Sequence, residues 1–202
     1  MRIIGGVYKG RKLKSIASSE NTSLRPTSAK VKESIFNIVS HKFHLNLHEI
    51  KILDLFAGTG SLGFEAISRG AKSATFVESD KYACKLIMEN AKTLGVESKI
   101  SLKVGECQKI GLNKAEPFEL IFMDPPYGKS LGEKSFKNVL KGNWIKRHSL
   151  IVWEEGAEIS NIEGGNILET RKYGETVLSF VCLLYTSPSP RDQRGSRLAS
   201  SA

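Results

Sequence analysis

The chain is poor in cysteine and proline and has no long apolar run, and each shortage excludes something. Three cysteines in 202 residues, Cys84, Cys107 and Cys182, are odd in number, widely spaced and without a C-x-x-C pair. This argues against a disulfide framework or a structural zinc site and makes buried thiols the expectation. No apolar run approaches the roughly 20 residues of a membrane helix, and Met1-Arg2-Ile3-Ile4-Gly5-Gly6 lacks the apolar centre of a signal peptide, so the expected compartment is the cytoplasm. Only six residues are proline, 25% are charged and 40% are hydrophobic, which sets aside wholesale disorder and fibrous architectures. His41, His44 and His48 fall in one short stretch but lack a paired carboxylate or cysteine, so surface or partly buried histidines are expected and no metal site.

What the chain does have is a basic excess, and it is unevenly placed. Of the formal net charge of +9, residues 1–50 carry +6, residues 51–182 carry +1 and residues 183–202 carry +2. A concentrated basic segment suits a protein that docks on phosphates, each neutralised phosphate releasing counterions; a solvated basic face that aids solubility is the alternative.

Apolar residues broken by glycine over Arg2–Leu13 read as a short hairpin with a basic open face. Ser18–Thr27 reads as a loop, and Val31, Ile35, Ile38 and Val39 predict a helix over about 28–40. From Ile50 strands and helices alternate. Strands are expected at 51–56, 73–78, 99–104, 119–123 and 149–154, with helices at about 61–69, 81–94 and 132–140. A closing antiparallel hairpin follows at 165–170 and 176–181. This order predicts an α/β fold with a mostly parallel sheet covered by helices on both faces. Trp144 and Trp153 read as core or interface residues.

The motifs that carry chemistry sit at strand ends. Gly58-Thr59-Gly60-Ser61-Leu62-Gly63 is a G-x-G-x-x-G after a strand and opening a helix, where glycines let the backbone approach a ligand and the helix offers free N–H groups. Glu78, twenty residues on at the end of the second strand, is placed to accept from both ribose hydroxyls of a nucleoside cofactor. Asp54 sits poorly against a pyrophosphate and suits a cation bearing an amino group, which points to S-adenosylmethionine; a helix-capping or loop-bonding acid is its other reading. Asp124-Pro125-Pro126-Tyr127 ends the fourth strand in a rigid turn. There Asp124 and the Pro125 carbonyl can accept both N–H bonds of an exocyclic amino group, aiming its lone pair at a methyl donor, while Tyr127 stacks on the base. Cys107 follows the third strand and lies outside the proline turn, so packing is preferred to covalent thiol chemistry.

Asp54-Leu55-Phe56-Ala57-Gly58-Thr59-Gly60 with Gly63 and Glu65-Ala66, followed by Asp124-Pro125-Pro126-Tyr127, resembles the S-adenosylmethionine-dependent amino-methyltransferases. Met1–Gly6, Gly10-Arg11-Lys12-Leu13, Arg25-Pro26-Thr27 and Lys32-Glu33-Ser34-Ile35-Phe36-Asn37 resemble more narrowly the bacterial 16S rRNA guanine-N2 methyltransferase family, a likeness running from Met1 to about Val181. The resemblance implies a Rossmann-like class I methyltransferase fold and transfer of a methyl group to the exocyclic N2 of a guanine in 16S rRNA during small-subunit assembly. It also implies a cofactor site at Asp54, Phe56, Gly58, Thr59, Gly60 and Glu78, with Glu106 near the adenine. The family usually has Asp where this chain has Glu106. Asp124, Pro125 and Tyr127 are the expected base site, and Arg2, Lys9, Arg11, Lys12, Arg25 and Thr27 the expected RNA contacts, in a +6 segment lying beside that base site.

Three regions are therefore expected: residues 1–27 as a basic hairpin and loop extension, 28–182 as the methyltransferase domain, and 183–202 as a disordered tail. The tail reads either as an RNA-contacting arm or, preferred because the last strand is already complete, as a stretch foreign to the natural protein. The expected partner is 16S rRNA or a small-subunit particle, with no membrane and no metal, and the expected state is a monomer. The rivals are an N6-adenine methyltransferase on DNA or RNA, a dinucleotide-binding oxidoreductase and a non-catalytic RNA-binding protein.

Overall fold

The computed structural model describes residues 1–16, 28–126, 130–160 and 162–183. Among them seven strands form one sheet. They are β1 (Lys51–Leu55), β2 (Ser73–Glu78), β3 (Ile100–Val104), β4 (Phe118–Met123), β5 (Ile145–Glu155), β6 (Gly165–Tyr173) and β7 (Thr176–Leu183). Their spatial order is β3-β2-β1-β4-β5-β7-β6. β1 to β5 run parallel, and β7 inserts antiparallel between β5 and β6. This is the mostly parallel α/β sheet with a closing hairpin that the alternation predicts. β5 starts earlier than its apolar run, at Ile145, because the ladder with β4 carries a register irregularity between Phe118 and Leu120.

Among the described residues four α-helices cover the sheet: α1 (Ala29–Asn37), α2 (Ser61–Ser68), α3 (Lys81–Leu94) and α4 (Leu131–Lys141). The Ser28 hydroxyl caps α1 by accepting the Val31 N–H at 3.2 Å. Val31, Ile35, Phe36 and Val39 then point into the core. The single helix expected over 28–40 ends in a π-helical turn at Ile38–Lys42. In α3 the Asp80 carboxylate accepts the Ala83 N–H at 2.7 Å. At the other end Gly95, φ 69, lets the Val96 N–H turn back to the Ala91 carbonyl at 3.0 Å.

The two sheet faces carry separate cores. One packs α1, α2 and α3 on Ile52, Phe76, Phe122, Val152 and Phe180; the other packs α4 on Leu53, Met123, Ile151 and Trp153. Trp144 and Trp153 are buried, as expected. Cys84 and Cys107 are buried and Cys182 half-buried, all three as free thiols. Among the described residues no helix is long and apolar enough to cross a membrane, and no cluster could hold a metal ion.

The N-terminal segment closes on itself through a single bridge between Arg2 and Lys12, with Ile3 and Leu13 entering the α1–α3 core. Its backbone is captured by the domain. The Glu65 carboxylate on α2, fully buried, accepts the N–H groups of Ile4 and Gly5 at 2.9 and 2.8 Å. The Ser68 hydroxyl donates to the Gly5 carbonyl at 2.5 Å and accepts the Tyr8 N–H at 3.0 Å. Lys32 on α1, also buried, donates to the Arg2 carbonyl at 2.9 Å. The hairpin thus runs along α2, with its two ends toward the start of that helix and its tip, Val7 and Tyr8, at the helix end.

Candidate active site

In a sheet of this order the crevice lies at the carboxyl ends of the strands where the order reverses, here between β1 and β4. Parallel register brings the candidate residues there. Asp54 pairs with Phe122 on β4, Met123 pairs with Trp153 on β5, and Asp124 and Glu154 follow at neighbouring strand ends. By the two-residue period of a strand, Asp54, Asp124 and Glu154 lie on the same sheet face. Sequence reasoning missed Glu154. The available signal was a carboxylate at the end of an otherwise apolar strand.

Asp54 is 3% exposed, and its Oδ2 accepts the Gly63 N–H at 2.9 Å, so it holds the first turn of α2. Burial pushes its carboxyl up to about 8; the Gly63 N–H pulls it down and the charge of Glu78 pushes it up further. The capping alternative is therefore realised, and in the same place a cationic ligand would favour the ionised form. Burial also pushes the Asp124 carboxyl well above the usual carboxylate range, with the charges of Glu154, Asp54 and Glu155 acting in the same direction. The Asp124 N–H approaches the Leu55 carbonyl at 3.5 Å, tying the proline turn to the end of β1.

The loop between β1 and α2 is shaped by its conformations. Phe56 takes φ 60, a left-handed value unusual for a bulky residue, and its N–H donates to the Cys107 sulfur at 3.3 Å. Burial pushes the Cys107 thiol up to about 12, which disfavours the thiolate and fits its reading as a packing residue. Gly58, φ 54, has open space where a Cβ would stand, as a cradle for a ligand requires. Gly63 serves packing instead: a Cβ there would run into the Phe76 ring and stand 3.1 Å from the Asp54 Oδ2.

Glu78 joins two loops. Its Oε2 accepts the Gly58 N–H at 2.7 Å, and its Oε1 accepts the N–H groups of Ser79 at 2.7 Å and Asp80 at 2.8 Å. A carboxylate accepts about four bonds, and the Ser79 hydroxyl approaches Oε1 at 3.5 Å as well, so a ribose hydroxyl would have to displace one of these donors. Glu106 is exposed and pairs with Lys109 at 3.0 Å and Gln108 at 2.6 Å. It lines an open cavity of about 420 Å³ with Ser79, Val104, Gly105, Lys109 and Ile110, next to Glu78. Thr59 donates through its hydroxyl to the Met1 sulfur at 3.8 Å, and its carbonyl accepts from Asn90 at 3.1 Å.

Pro125 is buried and Pro126 exposed at the end of β4. Tyr127 lies outside the described residues, as do Arg25, Thr27 and all but the first residue of the 183–202 tail. Arg2, Lys9, Arg11 and Lys12 are exposed on the hairpin. The two ends of the hairpin, at Met1 and Lys14, approach the glycine loop, while Val7 and Tyr8 at the tip sit at Ser68, at the far end of α2. The local pattern showed a hairpin but carried no information on which way it would lie against a helix some sixty positions later.

The family model described as Conserved hypothetical protein 95 matches residues 1–182. Ribosomal RNA small subunit methyltransferase D of Haemophilus influenzae is 38% identical over 157 residues, covering 76% of this chain and 78% of that one. The protein of the same name from Escherichia coli is 32% identical over 165 residues, covering 78% and 76%. A solved structure of the yhhF protein of Escherichia coli superposes with a TM-score of 0.78 at 27% identity, covering 91% of this chain and 97% of that one. The sheet is accordingly that of a Rossmann-like class I methyltransferase, and the chain belongs to the Conserved hypothetical protein 95 family together with the ribosomal RNA small subunit methyltransferases D.

Proposed function

We propose that this chain methylates the exocyclic N2 of a guanine in the 16S rRNA of the small ribosomal subunit, with S-adenosylmethionine as methyl donor, in the cytoplasm. The observation that carries the reading is the placement of Asp124 and Pro125 at the end of β4, directly beside the Asp54–Gly60 loop at the reversal point of the sheet. The relatives named for ribosomal RNA methylation supply the RNA as substrate class.

The residues present suit the donor. Asp54 would face its cationic groups, the backbone around Gly58 has room for it, and Glu78 would take its ribose beside the cavity that Glu106 lines. The donor supplies an electrophilic methyl group. The chain's own task is to make a poor nucleophile reactive, because the N2 lone pair is delocalised into the purine ring. Asp124 accepts one N2–H through a side-chain oxygen and the Pro125 carbonyl accepts the other. The two bonds fix the amino group so that its lone pair is directed out of the ring plane toward the methyl carbon. Tyr127 stacks on the extruded base. Exposed Arg2, Lys9, Arg11 and Lys12, with Arg25 and Thr27, hold the phosphates.

Incubation with labelled S-adenosylmethionine and small ribosomal subunits that lack the modification, followed by digestion to nucleosides, tests the reading. N2-methylguanosine is the expected product. N6-methyladenosine would assign the chain to the adenine rival, and no incorporation by folded protein would reject methyl transfer altogether.

A further inference from the structure

Asn90 is the one described side chain bonded both to the basic hairpin and to the glycine loop. It lies on α3, is fully buried and has no part in the chemistry above. Its Oδ1 accepts the Lys14 N–H at 2.7 Å, and its Nδ2 donates to the carbonyls of Lys14 and Thr59, each at 3.1 Å. These bonds use both amide hydrogens and the oxygen of a single planar group, so none can be adjusted alone. Rotating the amide to follow a shift of Lys14 withdraws the donor from Thr59, and leaving a buried carbonyl without its donor is unfavourable. A second tie joins the same two elements: the Thr59 hydroxyl donates to the Met1 sulfur, and Met1 is bonded to Leu13 through its N-terminal amine and its carbonyl.

We propose that Asn90 is a positioning residue that couples RNA held by the hairpin to the conformation of the Thr59 loop, so that RNA and cofactor strengthen each other's binding. The inference rests on the functional reading above, which places RNA on the hairpin and cofactor on the loop. The physical basis is a shared rigid group. Phosphates gripped by Arg2, Lys9, Arg11 and Lys12 hold the Lys14 end of the hairpin in one position, and Asn90 then presents its donor to Thr59 in the arrangement that the loop needs for the cofactor. Reciprocity follows from linkage: whatever factor RNA adds to cofactor affinity, cofactor adds to RNA affinity.

The test is calorimetric titration of S-adenosylhomocysteine into the full chain, with and without a 16S rRNA transcript, for wild type, Asn90→Asp and Asn90→Ala. Wild type should bind S-adenosylhomocysteine about fivefold more tightly or better with RNA present, within the usual range of coupling between sites. Asn90→Asp keeps the acceptor for the Lys14 N–H and loses both amide donors, to the Lys14 and Thr59 carbonyls. It should retain RNA affinity within about twofold while the coupling falls to about one, a split that a general loss of stability does not produce. Amide exchange on wild type gives a reading that needs no variant: RNA should slow exchange across Ala57–Gly60. Equal cofactor affinity with and without RNA in wild type, full coupling in Asn90→Asp, or loop exchange untouched by RNA would each overturn the proposal while leaving the functional reading in place. If folded wild type binds neither ligand, the functional reading fails and the coupling fails with it.

Discussion

The carboxyl end of the sheet and the N-terminal hairpin are both polar, yet they are held in opposite ways. Asp54 is buried and Asp124 half-buried, the surroundings push both carboxyls above the usual carboxylate range, and their strands fix them from below. The hairpin is fixed by its backbone, through Glu65, Ser68, Lys32 and Asn90, while Arg2, Lys9, Arg11 and Lys12 stay in solvent. The difference suits the proposed tasks. Orienting one amino group needs donors and acceptors that do not move and have little water to compete with. Gripping a polyanion needs mobile charges that exchange counterions for phosphates. Val7, 82% exposed at the hairpin tip, shows how little of that end is buried.

Breaking the buried side should have the largest effect. Asp124→Ala should lower the methyl-transfer rate by about 10²- to 10⁴-fold, the range for removing a positioned polar group, with S-adenosylhomocysteine affinity close to wild type by calorimetry. Asp54→Asn should come next, weakening S-adenosylmethionine binding by about tenfold, or about 1.4 kcal/mol. In wild type that affinity should rise as pH increases from 6 toward the Asp54 value of about 8, because a cationic ligand prefers the ionised carboxylate; in the variant this dependence should vanish. Stability should move the other way. An acid whose folded-state value lies above its ordinary one contributes stability below about pH 4 and loses it as pH rises through about 8, so Asp54→Asn should melt higher than wild type at pH 8, by a few degrees in calorimetry.

Breaking the exposed side should be milder and salt-dependent. Lys9→Ala, Arg11→Ala and Lys12→Ala combined should lower RNA affinity at moderate salt and flatten the slope of log K against log salt by about 2 to 3, while the rate at saturating RNA stays near wild type. The smallest effect marks the limit of the comparison. Lys146 pairs with Glu119 at 2.7 Å near the amino ends of β5 and β4, the opposite end of these strands from the site, with the lysine side chain 44% exposed. Lys146→Ala should cost under about 1 kcal/mol in thermal melting and leave activity unchanged.

Much of the fold was legible because its signals are local. Alternating strand and helix patterns, Asp80 before α3, Gly95 after it and the glycine loop before α2 are each written within a few residues of where they act. The parallel register that gathers Asp54, Asp124 and Glu154 was legible only in part. Asp54 and Asp124 announce themselves by their motifs, whereas Glu154 becomes visible only when β5 is laid beside β4. The hairpin shows the limit most plainly. Its basic residues could be counted, but Glu65 and Asn90 bind its backbone across 60 to 76 positions, and backbone recognition leaves no mark on the sequence being recognised. The Phe56 φ of 60 and the π-helical turn after α1 likewise result from tertiary packing overriding local preference.

The proposed acceptor is the exocyclic amino group of a guanine. Hypoxanthine keeps the rest of the guanine ring and lacks only that group. Once product analysis has located the methylated guanine, an otherwise identical RNA with inosine at that position should bind with nearly unchanged affinity and take up no methyl group there. Methylation of the inosine would show that the acceptor is a different atom and that Asp124 and Pro125 do not hold N2.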